Sequence, residues 1–383
     1  MKILQVLDSF FPTVDGPNSV MVNLALKLRE LGHEVELLVP DFPKNRVEAE
    51  GLKIHRCRSA KSNESYRAAL PFFDGKIKRL VKNGGYDVIH LHSPFTLGHF
   101  ALKTGKKYGI PVVFTFHTKF RDELENRLKS KVLQKFMMNY IMNCINGCTA
   151  VTAVSYGAVE TLKDYGYKNC GEVKVIYNGT DMPLYGANKS NVADLRQRLE
   201  IEDKFAFMFA GRLAEVKNVA FSLKVLAKVK ERGINGFKFI IAGDGDYGKT
   251  LKKLVSEYNL TENVVFVGRI SDKKTLAEYY AACNLLLFPS TFDTFGLVVS
   301  EAAANGLPAA VMEGCSSAER LEDGASGFVW KNDADFWAEK TAELIRNPMT
   351  AKRAGEGAAE KAYSGWDSIA KVYSELYLSL KNT

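Results

Sequence analysis

No stretch of this chain stays apolar for the ~18 residues that a membrane-spanning helix needs. The opening MKILQVLDSF is too short an apolar run for a signal peptide and reads instead as a buried strand. Cysteine is sparse, with six residues scattered over 383, which excludes a disulfide framework. Cys144 and Cys148 can share a helix face, but no second pair or nearby histidine completes a metal site. They read as ordinary thiols in a reducing cytoplasm. Short-period repeats and low-complexity tracts are missing too, which leaves ordinary globular domains. Even distribution of charge is also lacking. The net charge is +8, yet residues 51–150 hold 18 Lys or Arg against 6 Asp or Glu, leaving the remainder near −4. A basic excess confined to about a quarter of the chain implies a surface that meets something anionic.

What is present is the balance of a soluble globular protein, 46% apolar and 25% charged. The length exceeds one ordinary domain, so two are expected. Short apolar runs alternate with helical periodicity almost throughout. KILQVLD, HEVELLV, YDVIHLH, VVFTFH, TAVTAVS and VKVIY read as buried strands in the first half. FAFMFAG, FKFIIAG, VVFVG, NLLLFPS and LPAAVM repeat the pattern in the second. Such alternation predicts the α/β class, with two doubly wound parallel sheets covered by helices. Residues 181–204 have no buried-strand pattern and are expected to link a domain over 1–180 to one over 205–365.

Ligands of such sheets sit at the carboxyl ends of strands, near helix N-termini. Gly16, in FPTVDGP after the first strand, suits either a turn or a close backbone approach to phosphate. His117 ends the strand VVFTFH, where it is either a structural histidine or a donor to a substrate hydroxyl or phosphate. Arg212 and Lys217, in AGRLAEVKN, are either solvated charges or a planar fork and a point charge suited to a diphosphate. Asp293 and Glu301, in FDTFGLVVSEAAANGLP, place one carboxylate before a helix and one within it. Backbone N–H groups of Thr294, Phe295, Gly296 and Leu297 lie at its start.

Taken in order, PTVDGP, HLHSP, FTFH, VTAVS, VIYNGTD, AGRLAEVKN, IAGDGDY, VGRIS and DTFGLVVSEAAANGLP resemble glycosyltransferase family four, retaining enzymes of the GT-B fold. The resemblance spans nearly the whole chain. It implies two Rossmann-like domains facing a cleft, with a final helix over 366–383 packing back on the first. It also implies a nucleoside-diphosphate sugar donor, favouring a UDP-sugar. Arg212 and Lys217 would hold the diphosphate, approached by Gly16; Glu301 would bind the ribose, and Ile270 would lie against the base. Asp293, with Thr294, Phe295, Gly296 and Leu297, would contact the transferred hexose. His117 would sit over that sugar at the reaction centre. Neither cofactor nor metal is implied, and the leaving phosphate would help deprotonate the acceptor. The chain departs from the family's usual Glu–Glu pair at Asp293, whose reach is shorter by about 1.5 Å.

The segment IAGDGDYG holds both G-x-G-x-x-G and D-x-D. It is read as a glycine-rich turn, against a nicotinamide site or a metal site. An NAD(P)-dependent oxidoreductase and a non-catalytic nucleotide-sugar-binding module are therefore the competing functions. The glycine after Asp in FPTVDGP resembles bacterial members that glycosylate lipids, so a lipid or saccharide acceptor is expected. Nucleic acid is not expected as a partner. FFDGKIKRLVKN and KFRDELENRLKSKVLQKFMMNYIM interleave cations with apolar side chains. This motivates a cytoplasmic protein lying peripherally on an anionic membrane, unless those apolar residues simply face the core.

Overall fold

The structure, a computed structural model, describes residues 1–11, 16–61 and 67–381, with the backbone alone at 126–127. Its contacts divide the chain into two units, Met1–Gly179 with Trp366–Thr383, and Thr180–Gly365.

In the first unit the strands are β1 (Lys2–Val6), β2 (Glu34–Pro40), β3 (Lys53–Cys57), β4 (Ser59–Lys61), β5 (Arg67–Ala69), β6 (Val88–Leu91), β7 (Val112–Phe116), β8 (Ala150–Ala153) and β9 (Lys174–Val175). Strands β4 and β5 form a small antiparallel ribbon; the others form one parallel sheet in the order β3-β2-β1-β6-β7-β8-β9. The second unit contains β10 (Phe205–Ala210), β11 (Phe237–Ala242), β12 (Val264–Gly268), β13 (Leu285–Phe288), β14 (Ala309–Met312) and β15 (Phe328–Trp330). They also run parallel, in the order β12-β11-β10-β13-β14-β15. Helices on both faces explain the unbroken apolar runs: all six residues of FAFMFA and all five of VVFTF are buried. Each sheet reverses its winding once, between β1 and β6 and between β10 and β13. Those reversals are where an open α/β sheet leaves room for a ligand.

Residues 181–204, expected to link the domains, are counted with the second unit. Within them Lys189–Arg198 is helical, and Asn188 caps it by accepting from the Ser190 and Asn191 N–H groups. Arg196 donates to the carbonyls of Ala282 and Ile201, and Leu195 joins an apolar cluster with Ala206, Ile240 and Ala282.

The helix Trp366–Lys381 belongs to the first unit. Tyr377 and Tyr373 are buried there, hydrogen-bonded to His90 at 2.6 Å and Thr115 at 3.1 Å. His90 and Thr152 in turn lie 2.6 and 2.7 Å from the Thr115 hydroxyl. This satisfied polar layer ties the last helix to three strands of the sheet. At its ends Asp367 pairs with Lys27 at 3.1 Å and Lys381 with Asp87 at 2.7 Å.

Glu36 on β2 is the most demanding charge in this unit, being only 2% exposed. Burial opposes its ionisation. Hydrogen bonds from Lys53 (2.8 Å), Tyr86 (2.5 Å) and His55 (2.7 Å) outweigh burial and bring the carboxyl down to about 2. A carboxyl lowered on folding stabilises fully above its unfolded value near 4.5 and loses that contribution as pH falls toward 2. Glu36→Gln should therefore cost on the order of 3 kcal/mol in urea unfolding at neutral pH. The gap from the parent should narrow as pH drops below 4.5. Equal stability of the two proteins at neutral pH would contradict this account.

Candidate functional site

Of the residues singled out in the second unit, Arg212 and Lys217 follow β10 and Asp293 follows β13, the two strands that meet at the reversal. The chain leaves β10 through Arg212 and a single 3-10 turn, Glu215–Lys217, and reaches the helix Val219–Glu231 by way of Asn218 in a left-handed conformation (φ 56°). Asn218 donates to the Pro289 carbonyl at 3.3 Å, and the Ser290 hydroxyl donates to the Val216 carbonyl at 3.3 Å. These bonds latch the loop after β10 to the loop after β13. Lys217 Nζ consequently meets Asp293 Oδ1 at 2.5 Å, with both side chains about four-fifths buried. Asp293 Oδ2 is buried and has no hydrogen-bond partner among the described residues. Arg212 is exposed and forms no ion pair among the described residues. Lysine and aspartate are thus in contact, while the exposed arginine stands five residues before that lysine.

Beyond Asp293 the chain turns through Thr294, buried Phe295 and Gly296 into the helix Leu297–Ala304. Gly296 occupies the N-cap position at φ 78°, so no side chain caps that helix. An N-terminus without a side-chain cap presents backbone donors and a positive dipole end to an anion or a polyol. Glu301, one turn further, is held by the fully buried Tyr280, whose hydroxyl donates to Oε2 at 3.1 Å. Burial raises the Glu301 carboxyl, while Tyr280 and the nearby charge of Lys273 pull it back. Lys273 itself pairs with Asp181. Ile270 is half-buried against the unit's core. Tyr280 and Lys273 were not singled out from sequence; neither lies in a motif.

In the first unit His117 follows β7 and is buried, 8% exposed. Its Nε2 lies 3.0 Å from Nδ1 of His92, with the rings stacked at 5.2 Å and 16°. Burial pushes the His117 imidazole down to about 3, and burial with the neighbouring His90 and His117 lowers His92 well below its ordinary value. Both are neutral at physiological pH. His92 was not named as a candidate, although HLH at a strand end puts alternate histidines on one face. Asp8, also not singled out, closes β1: its carboxylate accepts from Ser93 (2.8 Å), Thr96 (3.0 Å) and the Leu97 N–H (2.7 Å). Gly16 opens the helix Gly16–Glu30 and is exposed, with open space where a side chain would stand. Residues 12–15 of the PTVDGP segment lie outside the described residues.

The segment IAGDGDYG follows β11. A Cβ on Gly243 would stand 1.8 Å from the Gly211 carbonyl oxygen, and one on Gly245 would stand 2.4 Å from that of Leu213. Leu213 N–H donates to the Asp244 carbonyl at 2.9 Å, and Tyr247 N–H to the Leu213 carbonyl at 3.1 Å. The two glycines therefore answer a packing demand from the Arg212 loop, which they support from beneath. Asp244 Oδ1 accepts from the Gly245 N–H at 2.8 Å, and both aspartates are exposed. No group of three metal-ligating side chains occurs among the described residues.

Residues 14–183 match the family described as Glycosyltransferase Family 4, and residues 191–361 match Glycosyl transferases group 1. The alpha-monoglucosyldiacylglycerol synthase of Acholeplasma laidlawii is 27% identical over 99% of this chain and 97% of its own. A GDP-mannose-dependent alpha-mannosyltransferase of Corynebacterium glutamicum is 24% identical over 98% of this chain and 88% of its own. Among solved structures, Anabaena HepE in complex with UDP superposes with a TM-score of 0.82 at 21% identity, covering 99% of this chain and 100% of that one.

The close approach beneath the Arg212 loop carries an expected outcome. Gly243→Ala should lower stability by about 1–3 kcal/mol or more in urea unfolding without any ligand, because a methyl there displaces backbone. An alanine variant as stable as the parent would show that the glycine is not needed for packing.

Proposed function

This chain belongs to glycosyltransferase family four and has the GT-B fold; on that premise we propose that it moves a hexose from a UDP-sugar to a glycerolipid hydroxyl with retention of configuration. The observation that carries the reading is the Lys217–Asp293 contact, whose second carboxylate oxygen has no hydrogen-bond partner among the described residues. Lys217 and Arg212 supply cations for a diphosphate, and the uncapped helix start adds backbone donors. Asp293 Oδ2 is an acceptor for a sugar hydroxyl. Glu301, oriented by Tyr280, is a candidate for the ribose hydroxyls, with Ile270 against the base. The preference for uridine draws on the UDP complex of Anabaena HepE; the glycerolipid acceptor draws on the name of the Acholeplasma relative.

In the proposed step the bond between the sugar's anomeric carbon and the diphosphate oxygen breaks. The acceptor oxygen bonds to that carbon on the same face, and its proton passes to the leaving phosphate. The cations and the helix dipole stabilise the departing charge. Turnover should persist in excess chelator, since no step is assigned to a divalent ion. Neutral His117 is suited to act as a hydrogen-bonding group rather than as a cation.

The acceptor reading has support from the surface of the first unit. On the helix Lys131–Asn146, Val132 is 81% and Phe136 64% exposed, flanked by exposed Lys129, Lys131 and Lys135. Phe73 is 78% exposed, whereas Ile77 and Val81 behind it are buried. The apolar side chains of these basic segments thus divide between core and solvent. No helix among the described residues is long and apolar enough to cross a membrane. Peripheral binding to an anionic lipid surface fits this arrangement.

A screen of UDP- and GDP-hexoses with diacylglycerol, glycolipid and saccharide acceptors tests the assignment by product analysis. Arg212→Ala and Lys217→Ala should each lower kcat/KM by roughly 10- to 150-fold with the fold intact. Full turnover in both would remove the diphosphate assignment. The pH profile of kcat should carry no inflection from His117 between pH 5 and 9; an inflection there that His117→Gln abolishes would contradict the neutral role. On phosphatidylglycerol vesicles, Val132→Ser combined with Phe136→Ser should lower partitioning about tenfold or more. Unchanged sedimentation of that double variant would place the lipid contact elsewhere or nowhere.

A further inference from the structure

We propose that the first unit carries a second anion site, a phosphate-ester pocket at the carboxyl ends of β2 and β3. A cavity of about 580 Å³ opens there, walled by the segment after β2, by β3 and its exit, and by the start of the helix Gly75–Asn83. It lies at the ligand-binding end of a parallel sheet and on the edge away from the β1/β6 reversal. Five cations line it, namely Arg46, Arg56, Arg58, Lys76 and Arg79, against two carboxylates, Asp41 and Asp74.

Both carboxylates are already committed. Asp41 takes a bidentate grip from Arg46 at 2.9 and 2.8 Å, which lowers its carboxyl below the ordinary range. Asp74 caps the helix, accepting from the backbone N–H groups of Arg58 (2.9 Å), Lys76 (3.0 Å) and Ile77 (3.4 Å). No ion pair reaches the side chains of Arg58, Lys76 or Arg79 among the described residues; Arg79 Nε meets only the Gly75 carbonyl, at 3.3 Å. The positive charge of the pocket is therefore not cancelled from within.

Arg56 provides the independent sign of a ligand. Its side chain is nine-tenths buried and its guanidinium lies over the Phe10 ring at 5.7 Å. Nη2 is satisfied by the Val47 carbonyl and by Glu48, yet Nη1 is buried with no hydrogen-bond partner among the described residues. A buried charged donor without an acceptor is costly, and an oxyanion in the pocket supplies one. Planar forks and a lysine around one cavity match a tetrahedral phosphate, and the volume leaves space for the polyol or sugar it esterifies. Phe73, exposed at the same rim, offers an apolar contact beside the charge. The ligand chemistry is thus a phosphate ester, from either an anionic lipid headgroup or a soluble polyol phosphate. This site does not depend on the transfer reading, because it binds in the first unit without a donor.

The test is calorimetric titration of the full chain with glycerol 3-phosphate and with inorganic phosphate, alongside sedimentation with phosphatidylglycerol and phosphatidylcholine vesicles. Arg58 and Arg79 are exposed, so Arg58→Ala with Arg79→Ala should leave the thermal midpoint unchanged. If the pair does not fold, Arg58→Gln alone replaces it. The expected result is at least a tenfold loss of glycerol 3-phosphate affinity in the double variant, with Arg212→Ala within twofold of wild type. Binding confined to phosphatidylglycerol vesicles and lost in the double variant identifies the lipid headgroup as the source. Binding of the free ester identifies a soluble one. Affinity unchanged by Arg58→Ala with Arg79→Ala, loss confined to Arg212→Ala, or no binding of any probe overturns the proposal.

Discussion

The contact between Lys217 and Asp293 is the constraint on which the second unit's site depends. The residues are 76 positions apart, and they meet because β10 and β13 are neighbours in the sheet while the chain between them winds away and back. Two loops leave the same reversal, and hydrogen bonds from Asn218 and Ser290 hold them together. A cation and an anion placed there attract each other strongly in a partly dry setting. One carboxylate oxygen is taken by the lysine and the other is left as an acceptor. On the proposed reading, a ligand brings negative charge to Lys217 and hydroxyls to Asp293, as a nucleoside-diphosphate sugar would.

Much of the fold was legible because buried parallel strands are unbroken apolar runs. FAFMFA and VVFTF leave little choice. Besides the small β4–β5 ribbon, the strands that escaped notice lie at sheet edges: KIHRC of β3 carries polar Lys53, His55 and Arg56 and buries only Cys57, and FVW of β15 is too short for any periodicity. The helix Lys189–Arg198 was hidden for a related reason. KSNVADLRQR buries only Leu195 and is held by hydrogen bonds from Arg196 rather than by an apolar face.

Within the site, single residues were legible but their relations were not. Lys217 and Asp293 were assigned to different parts of a donor, with nothing in their spacing to show that they touch. Tyr280 stands in an ordinary amphipathic helix, and only its 3.1 Å bond to Glu301 marks it. His92 gains meaning only when β6 and β7 lie side by side and bring it to His117. The glycines of IAGDGDYG suited three chemistries in sequence, and the backbone beneath the Arg212 loop accounts for them by contact distance. The basic excess of the first half likewise resolves into two surfaces of different character, an apolar-studded helix and an arginine-lined pocket.

The central claim is that Asp293 reads the sugar while Lys217 reads the diphosphate. Titration of UDP and of UDP-hexoses into wild type and Asp293→Asn separates the two most directly. The account predicts that Asp293→Asn binds UDP as well as wild type or better, since Lys217 loses its internal partner. The same variant should lose the extra affinity of the sugar nucleotide over UDP, together with turnover. Equal weakening of UDP and UDP-hexose binding, or an unchanged preference for the sugar nucleotide, would contradict it.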